Sequence, residues 1–436
     1  MVADGDNHRS TEPAADEQSP VPSPQGARRP GERIAGMREP YVFPIEQSPF
    51  SPEVPPLERR RRVLEVGAEV VTDEAGVVID FMSEVDVEGI LNDSRFASVA
   101  MPTLRLSGVD DGPLWDLWSH LMFAKDAEDH RRIRGVVTRE FTTRRIDRLR
   151  PALERAATDL CDVIPTGVDF DMWDTYAYPF AARVACQMVG IPVEDADQAA
   201  TWAFDLARAF FPFMSPERKS RAERSAGEML GYMDDLLARR RREPADDLIS
   251  ILTTDEVAGQ LSVEEIRALA ANMVFAGLEA TAKGVSTGTY LLVSQGQLAT
   301  LAERPDSIST AVLEVLRFSP PAQNVARFAP NDMVCQHVQL RAGQVVSANI
   351  VAACRDPRRY ENPDELDIDR VPGKQLAFGA GPHYCLGANL ARLGLAVAFE
   401  TLARRVPGLE LVDGTGNVEW DYEGFAGVVH LECRVP

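Results

Sequence analysis

"FGAGPHYCLG", residues 378–387, sets one cysteine among three glycines and begins with an aromatic residue. Cys385 stands directly before LGANLARLGLAVAFETLARR, whose apolar spacing predicts a helix from about Leu386 to Arg405. The positive end of a helix stabilises a thiolate and lowers its pKa. Gly379, Gly381 and Gly387 let backbone N–H groups approach the sulfur and permit positive φ. Phe378 is placed to cover the sulfur and keep water away. Three uses compete for such a cysteine. One is a structural residue at a helix start, and another is a nucleophile with His383 as its base. The third is an axial thiolate that pushes electron density onto haem iron. A structural cysteine needs no glycine-rich approach, and His383 in a loop is free to point elsewhere. The loop therefore favours the third use, and the rest of the chain has to support it.

The chain has 436 residues, of which 45% are hydrophobic, enough for a large core. A folded globular enzyme is expected. The formal net charge of -21 repels nucleic acid and anionic membrane, so neither is expected as a partner. No apolar run approaches the roughly 18–20 residues that span a bilayer. The N-terminus, MVADGDNHRS, carries no signal-peptide core, and a cytosolic protein is expected. The six cysteines are scattered without a C-x-x-C pair, which argues against a disulfide framework and a zinc ribbon. Five of them read as small core residues.

Residues 1–38 are rich in Pro, Ser, Glu and Gly and read as a disordered tail. No clean boundary interrupts 39–436, which reads as a single domain. EVVTDEAGVVIDFMSE (69–84) alternates like a hairpin, and VDVEGILNDSRFAS (85–98) reads as a short helix. Residues 99–125 read as a long loop or short helices. From about residue 126 the pattern is strongly helical, with segments 172–190, 195–211 and 216–242 among the helices. Ser262 and Glu265 form a capping box ahead of a helix of about 30 residues, with Ile266, Leu269, Met273 and Val274 on its stripe. So long a helix is expected to cross the whole protein as a central beam. SISTAVLEVLRFSPP (307–321) is a shorter helix stopped by two prolines, and 333–356 reads as a β-hairpin region. There is no βαβ alternation, dinucleotide glycine motif, Walker loop or internal repeat. The expected fold class is mainly α with a minor β portion.

F-G-x-G-x-H-x-C-x-G resembles the haem-binding loop of the cytochrome P-450 family at every defining position. Further signatures follow in the family's order. EVLR (Glu314, Arg317) resembles its E-x-x-R helix. CRDPRRYENPDELDIDR (354–370) resembles its meander, with Cys354 where Asn is usual. AGLEAT (276–281) resembles the oxygen-binding kink of its long helix. DAEDHRRIRGVVTREF (126–141) resembles the helix that approaches the haem edge in bacterial members. The resemblance runs from about residue 40 to the C-terminus. It implies the family fold, with haem b (iron protoporphyrin IX) between the long helix and the cysteine-loop helix.

The resemblance implies Cys385 as the iron ligand and His130, Arg134, Arg327 and His383 as partners of the haem propionates. Ala276, Gly277, Phe378, Gly379 and Gly387 are implied as further haem contacts. Glu314 and Arg317, three apart on one helix face, are read as a buried structural pair, with Arg370 as a third member. At the kink, the family commonly has an acid followed by Thr. Here Glu279 is followed by Ala280, and Thr281 lies roughly 100° further round the helix. Glu279, Ala280 and Thr281 are therefore the catalytic candidates, with proton delivery expected to use a substrate hydroxyl, ordered water and Glu279.

Substrate contacts are expected from Phe210, Phe211, Phe213 and Met214, which flank a proline-bounded turn. Leu278, Asn324 and Val325 are further candidates, as is the 99–118 loop with Leu104, Leu114, Trp115 and Trp118. They suggest a fairly apolar, medium-sized ligand. Arg139, Arg144, Arg145, Arg148 and Arg392 are read as a basic patch for an electron donor. The resemblance implies a separate ferredoxin or flavodoxin with its reductase. The expected activity is insertion of one oxygen atom from O2 into a small organic molecule of specialised metabolism. The alternatives are oxidative coupling, cyclisation or nitration on the same fold, and a haem sensor without turnover.

Overall fold

Ser262 starts the longest helix among the described residues. Its hydroxyl accepts from Glu265 N at 3.1 Å while Glu265 Oε2 accepts from Ser262 N at 2.9 Å, closing the expected capping box. The helix then runs unbroken from Val263 to Ser294, 32 residues. At ~1.5 Å per residue that is about 48 Å, the span of a beam. It buries residues on every face along its middle, as a helix surrounded by other elements must. Its neighbours include Tyr178–Val189, Ala196–Ala207, Pro216–Arg242 and Ala388–Arg405. The last of these follows the cysteine loop. Gly288 admits it: a Cβ there would stand 2.2 Å from the Phe399 ring. The beam and the cysteine-loop helix are thus brought together by the absence of a side chain.

A computed structural model describes residues 38–44, 68–74, 76–125, 127–210, 214–371, 373–422 and 424–436. The expected tail lies outside these residues apart from Arg38. Arg38–Pro436 forms one compact unit.

The β portion is minor, as expected. Six strands lie in the order Tyr41–Phe43, Val70–Asp73, Val78–Phe81, Val345–Asn349, Asn324–Phe328 and Ala97–Ser98. Val70–Asp73 and Val78–Phe81 pair antiparallel, with Val70 opposite Phe81, as the alternation in 69–84 predicts. Region 333–356 divides. Met333–Cys335 and Val338–Leu340 close a tight hairpin, with Gln336 and His337 both at positive φ as such a two-residue turn demands. Val345–Asn349 instead joins the larger sheet and runs parallel to Val78–Phe81. Residues 99–125 resolve into short helices at Ala100–Leu106, Gly112–His120 and Met122–Ala124. The C-terminal strands, including the hairpin Glu419–Asp421 with Gly427–His430, carried no sequence reading; Glu410–Leu411 and Gly427–His430 lie against the beam.

Candidate active site

The cysteine loop holds its shape with main-chain bonds. Cys385 N donates to Phe378 O at 2.9 Å, and Gly379 N donates to Leu376 O at 2.7 Å. Gly379 and Gly381 have φ of 72° and 69°. Gly381 also lies against the helix Glu84–Asn92: a Cβ there would stand 2.4 Å from Leu91 O. Gly387 has an ordinary φ of -82° and open space beside its Cα. Its contribution is its backbone N–H, which hydrogen-bonds to the Cys385 sulfur. The three glycines therefore do three different jobs.

Cys385 is exposed, whereas the other five cysteines are buried. Protein nonetheless surrounds it densely. Burial is the leading influence on its thiol and pushes the pKa up; the Gly387 N–H, Arg134 and Arg392 pull the other way. The lowering expected from the helix end is outweighed by burial.

Four basic side chains converge nearby. His130 is buried on Ala127–Val137, and its ring centroid lies 4.0 Å from that of His383. Burial first, then Arg327, His130 and Arg134, push the pKa of His383 down to about 3. His383 therefore enters the group as a neutral ring beside the permanent cations Arg134 and Arg327. Arg327 is placed by the strand Asn324–Phe328, which pairs with Val345–Asn349. Charges of one sign gathered in a partly buried place suit an anionic group such as a carboxylate. On the beam, Ala276 is exposed amid buried neighbours, and Gly277 has open space at its Cα. A reachable sulfur, a cation cluster and a small-residue face together fit a haem. Cys385 would bind the iron, and His130, Arg134, Arg327 and His383 would hold the propionates.

Glu279 is fully buried on the beam. Its Oε1 accepts from Lys283 Nζ at 2.7 Å and from Arg208 Nη1 at 2.8 Å. Lys283 also donates to Asp421 Oδ2 at 2.9 Å and to Phe425 O at 2.5 Å. Arg208 Nη2 reaches the same Asp421 oxygen at 2.8 Å. Two cations and two carboxylates thus form a network. Burial raises the Glu279 pKa, with Lys283 and Arg208 opposing it. Oε2 is buried and has no hydrogen-bond partner among the described residues. Thr281 is buried and donates its hydroxyl to Gly277 O at 2.6 Å. The hydroxyl is thereby committed to the beam's own backbone.

Glu314 and Arg317 are buried in Ile308–Phe318 and bonded twice, at 2.7 and 2.8 Å. Arg317 also donates to Cys354 O, Pro363 O and Glu365 O. Arg370 Nε donates to Glu314 Oε1 at 3.1 Å. The pair pins the 354–370 segment through main-chain carbonyls. The bond at Cys354 uses its carbonyl, so the identity of that side chain does not affect it.

Phe210 is partly exposed and meets Phe123, Trp118 and Phe275 at centroid distances of 5.0, 5.6 and 6.2 Å. Trp118 stacks on Phe275 at 5.7 Å and 7°. Phe275 immediately precedes Ala276, so this aromatic cluster borders the exposed small-residue face. Phe211 and Phe213 lie outside the described residues. Leu104, Leu114 and Leu278 are fully buried in the core, and Met214 packs against it. Trp115 carries the Arg105 guanidinium on its ring, at 5.2 Å from the centroid. Asn324 is exposed and Val325 partly so. Phe123, Phe275, Arg208, Lys283 and Asp421 were not singled out in the sequence.

The basic patch is less uniform than expected. Arg139 pairs with Glu256, and Arg145 pairs with Glu140 and Asp246. Arg144 and Arg148 are exposed. Arg392 turns inward: Nη2 donates to Tyr384 Oη at 3.0 Å, and its guanidinium carbon lies 4.6 Å from the Phe378 ring centroid. Among the described residues, no helix is long and apolar enough to cross a membrane.

The family model for Cytochrome P-450 matches residues 308–406, which include the Glu314–Arg317 helix and the cysteine loop. The chain is 34% identical over 340 residues to the mycinamicin IV hydroxylase/epoxidase of Micromonospora griseorubida, covering 77% of this chain and 83% of that protein. It is 32% identical over 318 residues to the 6-deoxyerythronolide B hydroxylase of Saccharopolyspora erythraea, covering 72% and 78%. The crystal structure of CalO2 superposes with a TM-score of 0.82 at 32% identity, covering 87% of this chain and 96% of that one. Motif loop, buried Glu–Arg pair and whole-chain similarity agree: the chain belongs to the cytochrome P-450 family.

Proposed function

We propose that the protein is a monooxygenase that places one oxygen atom from O2 into a small, fairly apolar organic substrate, by hydroxylation or epoxidation. The observation that carries this reading is the reachable Cys385 sulfur, held by the Gly387 N–H in a fold where the other cysteines are buried. Haem b, when bound, supplies oxygen activation with electrons from a separate ferredoxin or flavodoxin system. The relatives' printed names, a hydroxylase/epoxidase and a hydroxylase, support a place in specialised metabolism.

The chain's own residues divide the remaining work. Phe210, Phe123, Trp118 and Phe275 offer an apolar surface that favours an apolar ligand and sheds water. Glu279 is the buried acid of the site: burial raises its pKa, Lys283 and Arg208 oppose that from Oε1, and Oε2 has no hydrogen-bond partner among the described residues. Ala280 has no hydroxyl, and the Thr281 hydroxyl is spent on Gly277 O. A substrate hydroxyl with ordered water completes the path from Oε2. The same commitment of Thr281 supports a second reading, oxidative coupling, cyclisation or nitration, which asks less of proton delivery.

The test is turnover with a ferredoxin, its reductase, NAD(P)H and 18O-labelled O2, on substrates chosen by the spin-state shift they cause. Incorporation of one labelled atom per product supports monooxygenation. Substrate-dependent NAD(P)H consumption giving product without label contradicts it and favours the second reading.

A further inference from the structure

Tyr384 directly precedes Cys385 and is gripped at both ends by guanidinium groups. Arg134 Nη2 donates to its carbonyl at 2.6 Å. Arg392 Nη2 donates to its hydroxyl at 3.0 Å. The two arginines come from different elements, Ala127–Val137 and Ala388–Arg405, so one residue fixes cations from both around the sulfur. Arg392 also lies on the face of Phe378, whose carbonyl accepts the Cys385 N–H. A cation on an aromatic face is held by the ring's quadrupole, and this geometry keeps it from swinging into solvent. The Phe378 and Tyr384 rings flank it with centroids 6.4 Å apart. Its position is therefore determined from two sides.

We infer that Tyr384 is a positioning residue: its hydroxyl fixes Arg392 beside Cys385, and Arg392 there acts as an internal charge that raises the reduction potential of the sulfur-bound iron. This rests on the haem-thiolate reading given above. The argument is electrostatic. Reducing the iron adds one negative charge to the centre, and a fixed cation in a partly buried place favours the more negative state. A surface arginine of a docking patch would be mobile and solvated, and its field would be screened within about 10 Å at 0.1 M salt. Arg392 is neither: it is partly buried, stacked and hydrogen-bonded, and its Nε is buried without a hydrogen-bond partner among the described residues.

The experiment is potentiometric titration of the haem-loaded parent, Arg392→Gln, Arg392→Lys and Tyr384→Phe, at low and high salt without a redox partner. Carbon monoxide spectra of each reduced sample serve as the control. The expected result is a shift to lower potential in Arg392→Gln of at least threefold in the ferric–ferrous equilibrium constant, where tenfold is about 59 mV for one electron. Arg392→Lys, which keeps the charge, is expected to recover at least half of that shift. Tyr384→Phe, which keeps the ring and removes the anchor, is expected to shift in the same direction. None of these differences should vanish at high salt. A smaller shift in Arg392→Gln, or an equal loss in Arg392→Lys, would overturn the charge role. An unchanged Tyr384→Phe would overturn the positioning role. If the parent shows no red-shifted carbon monoxide band, the haem-thiolate reading itself fails, and the potentials do not bear on Arg392.

Discussion

Lys283 Nζ lies 2.7 Å from Glu279 Oε1, one turn away on the beam, with both side chains fully buried. Among the described residues it donates to Glu279, Asp421 and Phe425 O. Close approach of the C-terminal hairpin makes this possible. A Cβ on Gly427 would stand 2.6 Å from Lys283 Cβ, and one on Gly424 would stand 3.1 Å from both Glu279 carboxylate oxygens. Removing one partner of such a pair leaves charges buried and uncompensated, at a cost of about 3–5 kcal/mol. Lys283→Met is therefore expected to lower stability by about that amount in urea unfolding. A loss below about 1 kcal/mol, the level of a surface ion pair, would contradict the network.

Ala280→Thr restores a hydroxyl next to Glu279. Positioned acid–base groups are worth about 100-fold or more. On substrates without a hydroxyl near the oxidised carbon, the variant should raise product formed per NAD(P)H consumed by about tenfold. On the native substrate the gain should be small. High coupling in the parent, unchanged in the variant on several substrates, would dismiss substrate assistance.

Gly379→Ala and Gly381→Ala separate conformation from contact. Both sites have positive φ, which costs an L-residue about 1–2 kcal/mol. Only Gly381 faces a carbonyl: the alanine methyl would stand 2.4 Å from Leu91 O. Gly381→Ala should exceed Gly379→Ala by about 1–3 kcal/mol, the range for overpacking. Equal losses by thermal unfolding would mean that the contact with the Glu84–Asn92 helix carries nothing.

Much of the site was legible because its signals are local. The cysteine loop, the capping box and the i,i+3 pair Glu314–Arg317 each fit within about ten residues, where spacing fixes geometry. The helical segments at 216–242 and 308–318 were legible through the 3.6-residue period. The Glu279 network was not, because Arg208 is 71 positions away and Asp421 lies 138 positions from Lys283. A lysine one turn after a glutamate reads as a solvated helix pair until the covering hairpin is seen. Arg392 was placed in a docking patch for the same reason: its sequence surroundings are those of a surface arginine, and only Phe378 and Tyr384 turn it inward. Phe123 and Phe275 sit in short apolar stretches without a motif, so their meeting with Phe210 is a tertiary fact.

Glu314→Gln should destabilise the protein by about 3–5 kcal/mol, since it removes the countercharge of buried Arg317 and of Arg370. The 354–370 segment hangs on Arg317 through three carbonyls, so that segment should lose amide exchange protection first. Uniform loss across the protein would contradict local pinning.

Phe210→Ala and Phe275→Ala should separate ligand from core. Phe275 is fully buried, and its truncation is expected to cost about 3–5 kcal/mol. Phe210 is more than one-third exposed, so its truncation should cost far less stability while weakening apolar ligands about tenfold in spin-state titrations. Unchanged ligand affinity in Phe210→Ala would remove this cluster from the substrate surface.

The central claim is that the Cys385 thiolate is the iron ligand of a bound haem. The most direct measurement is the absorption spectrum of the purified protein, reduced with dithionite under carbon monoxide, beside that of Cys385→His. A strongly red-shifted Soret band in the parent, returning to the ordinary haem–carbon monoxide position in Cys385→His, is the result the account predicts. A parent band already at the ordinary position, or a parent that binds no haem, would contradict it.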